Sequence, residues 1–156
     1  MSQNRQPGVE LTHQQGLEFA LRFDQEALPP LCVGGSSGPG ATLLVVAAAA
    51  QCLSASLLYC IAKNDPPPGS LQTRALCSMV RNPQGRQRIG SIAVTLEVSG
   101  ELESVLRTPR CYELFEEFST VAASLRQGFP VSARVVNQRG DTLYHSREAE
   151  TDDQQQ

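Results

Sequence analysis

From Ala41 to Ile61 the chain carries no charged residue. This run constrains the fold more than any other. As an α-helix it is about 30 Å long and apolar nearly all round. Such a helix must be covered on most sides by its own domain, by a partner chain or by a bilayer. Gln51, Ser54 and Ser56 interrupt the run, it is rich in alanine, and no second apolar span follows. The expectation is therefore a buried central helix and no membrane contact. The flexible loop GGSSGPG, Gly34 to Gly40, leads straight into it, and Cys52 sits about three turns inside. A thiol at that place is either inert packing or a redox nucleophile.

At 156 residues the chain is read as one domain with a single core. We expect a loose tail over residues 1–8, one domain over 9–146 and a disordered acidic tail over 147–156. The net charge is −3 and no basic block occurs, which argues against a nucleic-acid partner. MSQNRQPG is polar and lacks an apolar signal region, so a cytoplasmic setting is expected.

The five cysteines are Cys32, Cys52, Cys60, Cys77 and Cys111. None forms a CxxC pair and their number is odd, which speaks against a disulfide framework and a zinc ribbon. His13 and His145 have no ligand spacing to a cysteine, so neither a metal nor a cofactor is expected. The loop GGSSGPG lacks the Lys-Ser/Thr ending of a P-loop and the spacing of a dinucleotide fingerprint.

Period-two alternation predicts strands at Val9 to His13 and Leu17 to Phe23, turned at Gln14-Gln15-Gly16. Pro29-Pro30 closes that region, and Cys32 is placed in the loop beside the glycines. The first helix is predicted from Ala41 to Lys63, stopped by Asp65 and Pro66-Pro67-Pro68-Gly69. Strands at Leu71 to Arg81 and Arg88 to Val98 flank the turn Asn82-Pro83-Gln84-Gly85. A second helix starts at Pro109 and ends by Gly128. Leu114, Phe115, Phe118, Val121, Ala122 and Leu125 mark its apolar face, and Glu113, Glu116, Glu117 and Arg126 its wet face. Val131 to Asn137 and Thr142 to His145 form a closing hairpin. The order ββ–α–ββ–α–ββ, with strands arriving as hairpins, gives an antiparallel α+β fold.

This order resembles the OsmC/Ohr family of osmotically inducible and organic-hydroperoxide-resistance proteins. Three segments carry the resemblance: LPPLCVGGSSGPGATLLVVAAAAQC, the hairpin from Leu71 to Val98, and LFEEFSTVAASLRQGFPVSARV. It spans about residues 17–146, as a divergent member. The resemblance implies an intertwined homodimer with two long helices buried at its centre. It also implies reduction of organic hydroperoxides by paired thiols, one becoming a sulfenic acid and the second closing a disulfide.

Cys52 matches the family's peroxidatic cysteine, whose chemistry needs the thiolate. The family lowers that thiol with an arginine held by a glutamate ten residues before the cysteine. Arg22 is the guanidinium this sequence offers, and Thr42 stands where the glutamate is expected. Ser119 occupies the position of the second, resolving cysteine, and Cys111 is a displaced resolving candidate two turns before it. Cys60 lies about 12 Å beyond Cys52 on the same helix, too far for a disulfide within it, and is read as packing. Cys77 is read as core, beside Ala75 and Met79.

The leading expectation is a thiol peroxidase acting through Cys52, one-cysteine if an external thiol reductant resolves it. The alternative is a non-catalytic dimer of the same fold that binds a small apolar ligand between its long helices or serves as an interaction protein.

Overall fold

The computed structural model describes residues 7–62, 69–105 and 109–146. The expected tails, but for Pro7 and Gly8, and the helix stop over 63–68 lie outside the described residues. The chain forms two compact units, Met1–Val45 and Val46–Gln156.

The first unit is a three-stranded antiparallel sheet of β1 (Val9–Gln15), β2 (Glu18–Phe23) and β3 (Leu31–Gly34), in that order. Gly16, at φ 51°, supplies the left-handed residue of the β1–β2 turn. β3 was not expected. It pairs Leu31 with Leu21 and Val33 with Phe19, so Cys32 is a strand residue, exposed opposite Ala20. Four residues after two prolines are too few to display alternation.

The loop after β3 is held by its own backbone. Gly34 N–H donates to Pro39 O (2.9 Å) and Gly38 N–H to Gly34 O (3.2 Å). A Cβ on Gly38 would lie 2.3 Å from the Cys32 carbonyl oxygen, so only glycine fits there. The Ser37 hydroxyl donates to Glu18 at 2.6 Å. That bond and a second from Gln15 hold the Glu18 carboxyl below its ordinary value.

Helix α1 runs Ala41–Ala62. Its first five residues belong to the first unit and the rest to the second. Ala49, Leu53 and Leu57 are fully buried, with Val46 and Ser56 beside them on the same stripe.

The second unit adds a four-stranded sheet of β4 (Leu71–Arg81), β5 (Gln87–Val98), β6 (Val131–Asn137) and β7 (Thr142–His145). The β4–β5 turn is fixed by Asn82, whose side-chain oxygen accepts from the N–H groups of Gln84 and Arg86. Ile92, Val94, Leu96 and Val98 alternate into the core, joined by Ala133 and Val135 of β6.

Two expectations are corrected here. First, the sheet is mixed: β5 and β6 pair in parallel, Ile92 with Val131 through Val98 with Asn137. The segment between them is long enough to carry the chain back to the starting end, which a parallel pair requires. Second, the single second helix is three short ones, α2 (Gly100–Val105), α3 (Pro109–Leu114) and α4 (Thr120–Leu125). The break between α3 and α4 rotates the helical face. Phe115 and Ala122 stay fully buried while Phe118 is 60% exposed. On β4 an irregularity between Ser78 and Met79 likewise turns Met79 outward and leaves Cys77 half-buried.

Candidate functional site

Cys52 lies at mid-helix on α1 and is half-buried. One turn either way along its own face, Ala49 and Ser56 are buried while Ala48 and Ala55 are exposed. Its sulfur therefore stands on the boundary between the anchored stripe and the open one. A thiol at such a boundary can be reached from outside while its helix is held from within. Ser54, two residues on, donates to the Ala50 carbonyl (2.7 Å) and bonds the Thr73 hydroxyl of β4 (2.6 Å).

Each of the other residues singled out from the sequence has its own setting. Arg22 is exposed on β2 of the first unit, opposite Glu10 of β1. Thr42 stands in the first turn of α1, which holds no acidic residue. Ser119 is fully buried at the start of α4, and its hydroxyl has no hydrogen-bond partner among the described residues.

Cys111, on α3, meets α1 at Cys60. Its thiol donates to the Cys60 carbonyl oxygen at 3.3 Å. The last four carbonyls of a helix have no partner within it, and Cys60 is one of them in α1. Burial first, and then the neighbouring Cys111, push the Cys60 thiol above its ordinary value. The backbone of Cys60 thus ties α3 to the end of α1.

A polar cluster that the sequence did not disclose lies nearby in the chain. The Glu116 carboxylate, only 12% exposed, accepts from Arg126, from the Tyr144 hydroxyl and from the Ser146 hydroxyl. Glu116 is therefore not part of a wet face. It lies in the turn that follows α3, from which its carboxylate reaches Tyr144 of β7. Tyr144 stacks on Tyr112 at 5.7 Å and takes Phe115 edge-on at 5.4 Å. Burial, with Glu103 and Cys111 adding to it, raises the Tyr112 phenol above its ordinary value. Among the described residues, no group of three His, Cys, Asp or Glu side chains could hold a metal ion.

No protein-family model and no curated protein matches the chain. Solved structures do. A hypothetical protein from Aquifex aeolicus is 15% identical, with a TM-score of 0.65 over 86% of this chain and 97% of that one. An OsmC-like protein of unknown function from Vibrio cholerae is 14% identical, with a TM-score of 0.65 over 85% and 99%. The organic hydroperoxide resistance protein OhrB of Bacillus subtilis is 15% identical, with a TM-score of 0.58 over 83% and 98%. The α+β architecture is thus the OsmC-like fold that the residue patterns resembled.

Proposed function

We propose that this chain, built on the OsmC-like fold, reduces organic hydroperoxides through Cys52, in the cytoplasm and as a homodimer. The observation that carries the reading is the placement of Cys52 on the boundary of the buried stripe of α1. The name of the Bacillus subtilis neighbour supplies the substrate class. The Cys52 thiolate attacks the peroxide; an S–O bond forms as the O–O bond breaks, and the alcohol leaves with a proton. The sulfenic acid is then resolved by an external thiol, with loss of water, because Ser119 cannot form a disulfide. Arg22 is the guanidinium this reading assigns to favouring the thiolate.

The dimer is supported by the open side of α1. Leu43 and Tyr59 are each 62% exposed there, with Ala47, Ala48 and Ala55 between them. A largely apolar face of that length, with exposed Gln51 at its middle, fits a second copy of the same helix.

The test is the loss of cumene hydroperoxide with dithiothreitol as the thiol. Turnover that falls sharply in Cys52→Ser supports the reading; equal loss in both proteins overturns it. Thr42 and Ser119, in place of the family's glutamate and second cysteine, favour a second reading. In it the dimer binds a small apolar ligand without catalysis, and such a ligand raises the melting temperature.

A further inference from the structure

We propose that Cys60 and Cys111 are a second, hydroperoxide-reactive thiol site, which closes to a disulfide between the last turn of α1 and the first turn of α3. The two residues are 51 positions apart in sequence, and the fold brings the Cys111 sulfur to 3.3 Å from the Cys60 carbonyl oxygen. Both are half-buried rather than sealed, so a small oxidant has access. Neither stands at the positions of the family's two reactive cysteines, and the site does not depend on Cys52.

The contact is more than a helix cap. A cap at the Cys60 carbonyl needs only a donor on residue 111, which a serine supplies equally well. It does not need a second sulfur on residue 60. With its sulfur 3.3 Å from the backbone of Cys60, Cys111 is placed for a sulfenic acid on one thiol to be trapped by the other.

The chemistry balances with an organic hydroperoxide as oxidant. The Cys111 thiolate attacks the peroxide; its S–O bond forms, the O–O bond breaks, and the alcohol leaves after taking one proton. Cys111 is thereby oxidised to the sulfenic acid and the peroxide reduced. The Cys60 thiol then attacks that sulfur. An S–S bond forms, the S–O bond breaks, and the hydroxyl departs as water with the proton of Cys60. Two thiols and one hydroperoxide give one disulfide, one alcohol and one water.

The test treats the reduced full chain with one equivalent of cumene hydroperoxide at neutral pH, followed by alkylation and non-reducing peptide mapping. Combined trypsin and chymotrypsin separate Cys52 from Cys60, because Leu57, Leu58 and Tyr59 lie between them. The expected product is a Cys60–Cys111 linked peptide in the native chain and in Cys52→Ser, reversed by dithiothreitol and missing in Cys60→Ser and Cys111→Ser. Both thiols recovered as alkylated peptides from the treated native chain would overturn the site, as would linkage of either one to another cysteine. The Cys52→Ser arm separates this site from the reading above. A link that forms in Cys52→Ser supports this site, Cys52-dependent turnover in a Cys111→Ser background supports the reading above, and such turnover without any link in the native chain removes this site alone.

Discussion

The middle of α1 and its last turn carry the same residue, a cysteine, and differ in what the helix leaves unsatisfied. At Cys52 every backbone group is bonded within the helix, so the side chain has no polar reason to be held in one place. At Cys60 the carbonyl is an orphan of the helix end, and Cys111 comes to it. The first thiol is offered outward, the second is drawn into a pair. A helix end recruits partners and a helix middle does not, and this decides which cysteine gains a neighbour.

The sharpest way to break the comparison is to remove each thiol in turn. In a Cys111→Ser background, where the second pair cannot turn over, Cys52→Ser should lower peroxide turnover by more than about 100-fold, and Cys60→Ser alone should leave it near the native rate, both read in the thiol-coupled assay. Equal losses would mean the two thiols act as one unit.

Next in size is the oxidised state. A link closing a loop of about 50 residues stabilises by about 3–4 kcal/mol in the chain-entropy account, or about 10 °C in Tm. Calorimetry before and after one equivalent of hydroperoxide checks it. The gain should survive Cys52→Ser and vanish in Cys111→Ser.

Glu116→Ala removes the acceptor of three donors and leaves Arg126, Tyr144 and Ser146 unmatched. We expect a loss of about 2–3 kcal/mol, read by urea denaturation. Ser119→Ala works in the opposite direction. Removing a buried hydroxyl that has no partner should stabilise by about 1 kcal/mol, read in the same way.

The smallest effect is the pH dependence of Cys60. Its folded thiol titrates above the ordinary 9.0, so the unfolded chain loses that proton first. Stability from this group is complete below about pH 9 and declines as pH rises further. Alkylation at pH 8 should be slower at Cys60 than at a free thiol, as mass spectrometry of timed quenches would reveal.

What could be read from the residues was whatever is written locally. The β4–β5 hairpin was legible because Asn82 and Gly85 have one use together, a turn whose Asn side chain caps the backbone. The start and length of α1 were legible from an uncharged run behind a glycine loop. Cys52 stood out for its place in that run. β3 was missed because it has four residues, and its pairing with β2 exists only across the turn region between them. The parallel partner of β5 was missed because hairpin logic joins neighbours, whereas β6 arrives after three helices. Glu116 escaped the pattern because a single helical face does not hold where the helix ends at Leu114 and resumes at Thr120. The meeting of Cys60 with Cys111 belongs to tertiary structure alone, since nothing near either residue announces the other.

A helix that is apolar all round gains nearly the same free energy from burial at any rotation about its axis. Ser54 breaks that degeneracy. Its hydroxyl donates back to Ala50 and so must receive the proton of Thr73, which ties one azimuth of α1 to one register of β4. A turn of a single residue, 100°, would carry Ser54 off Thr73 and swing Cys52 away from the boundary. Two hydroxyls thus act as the index mark on an otherwise unmarked dial, and Thr73→Val should blur where Cys52 points before it costs much stability.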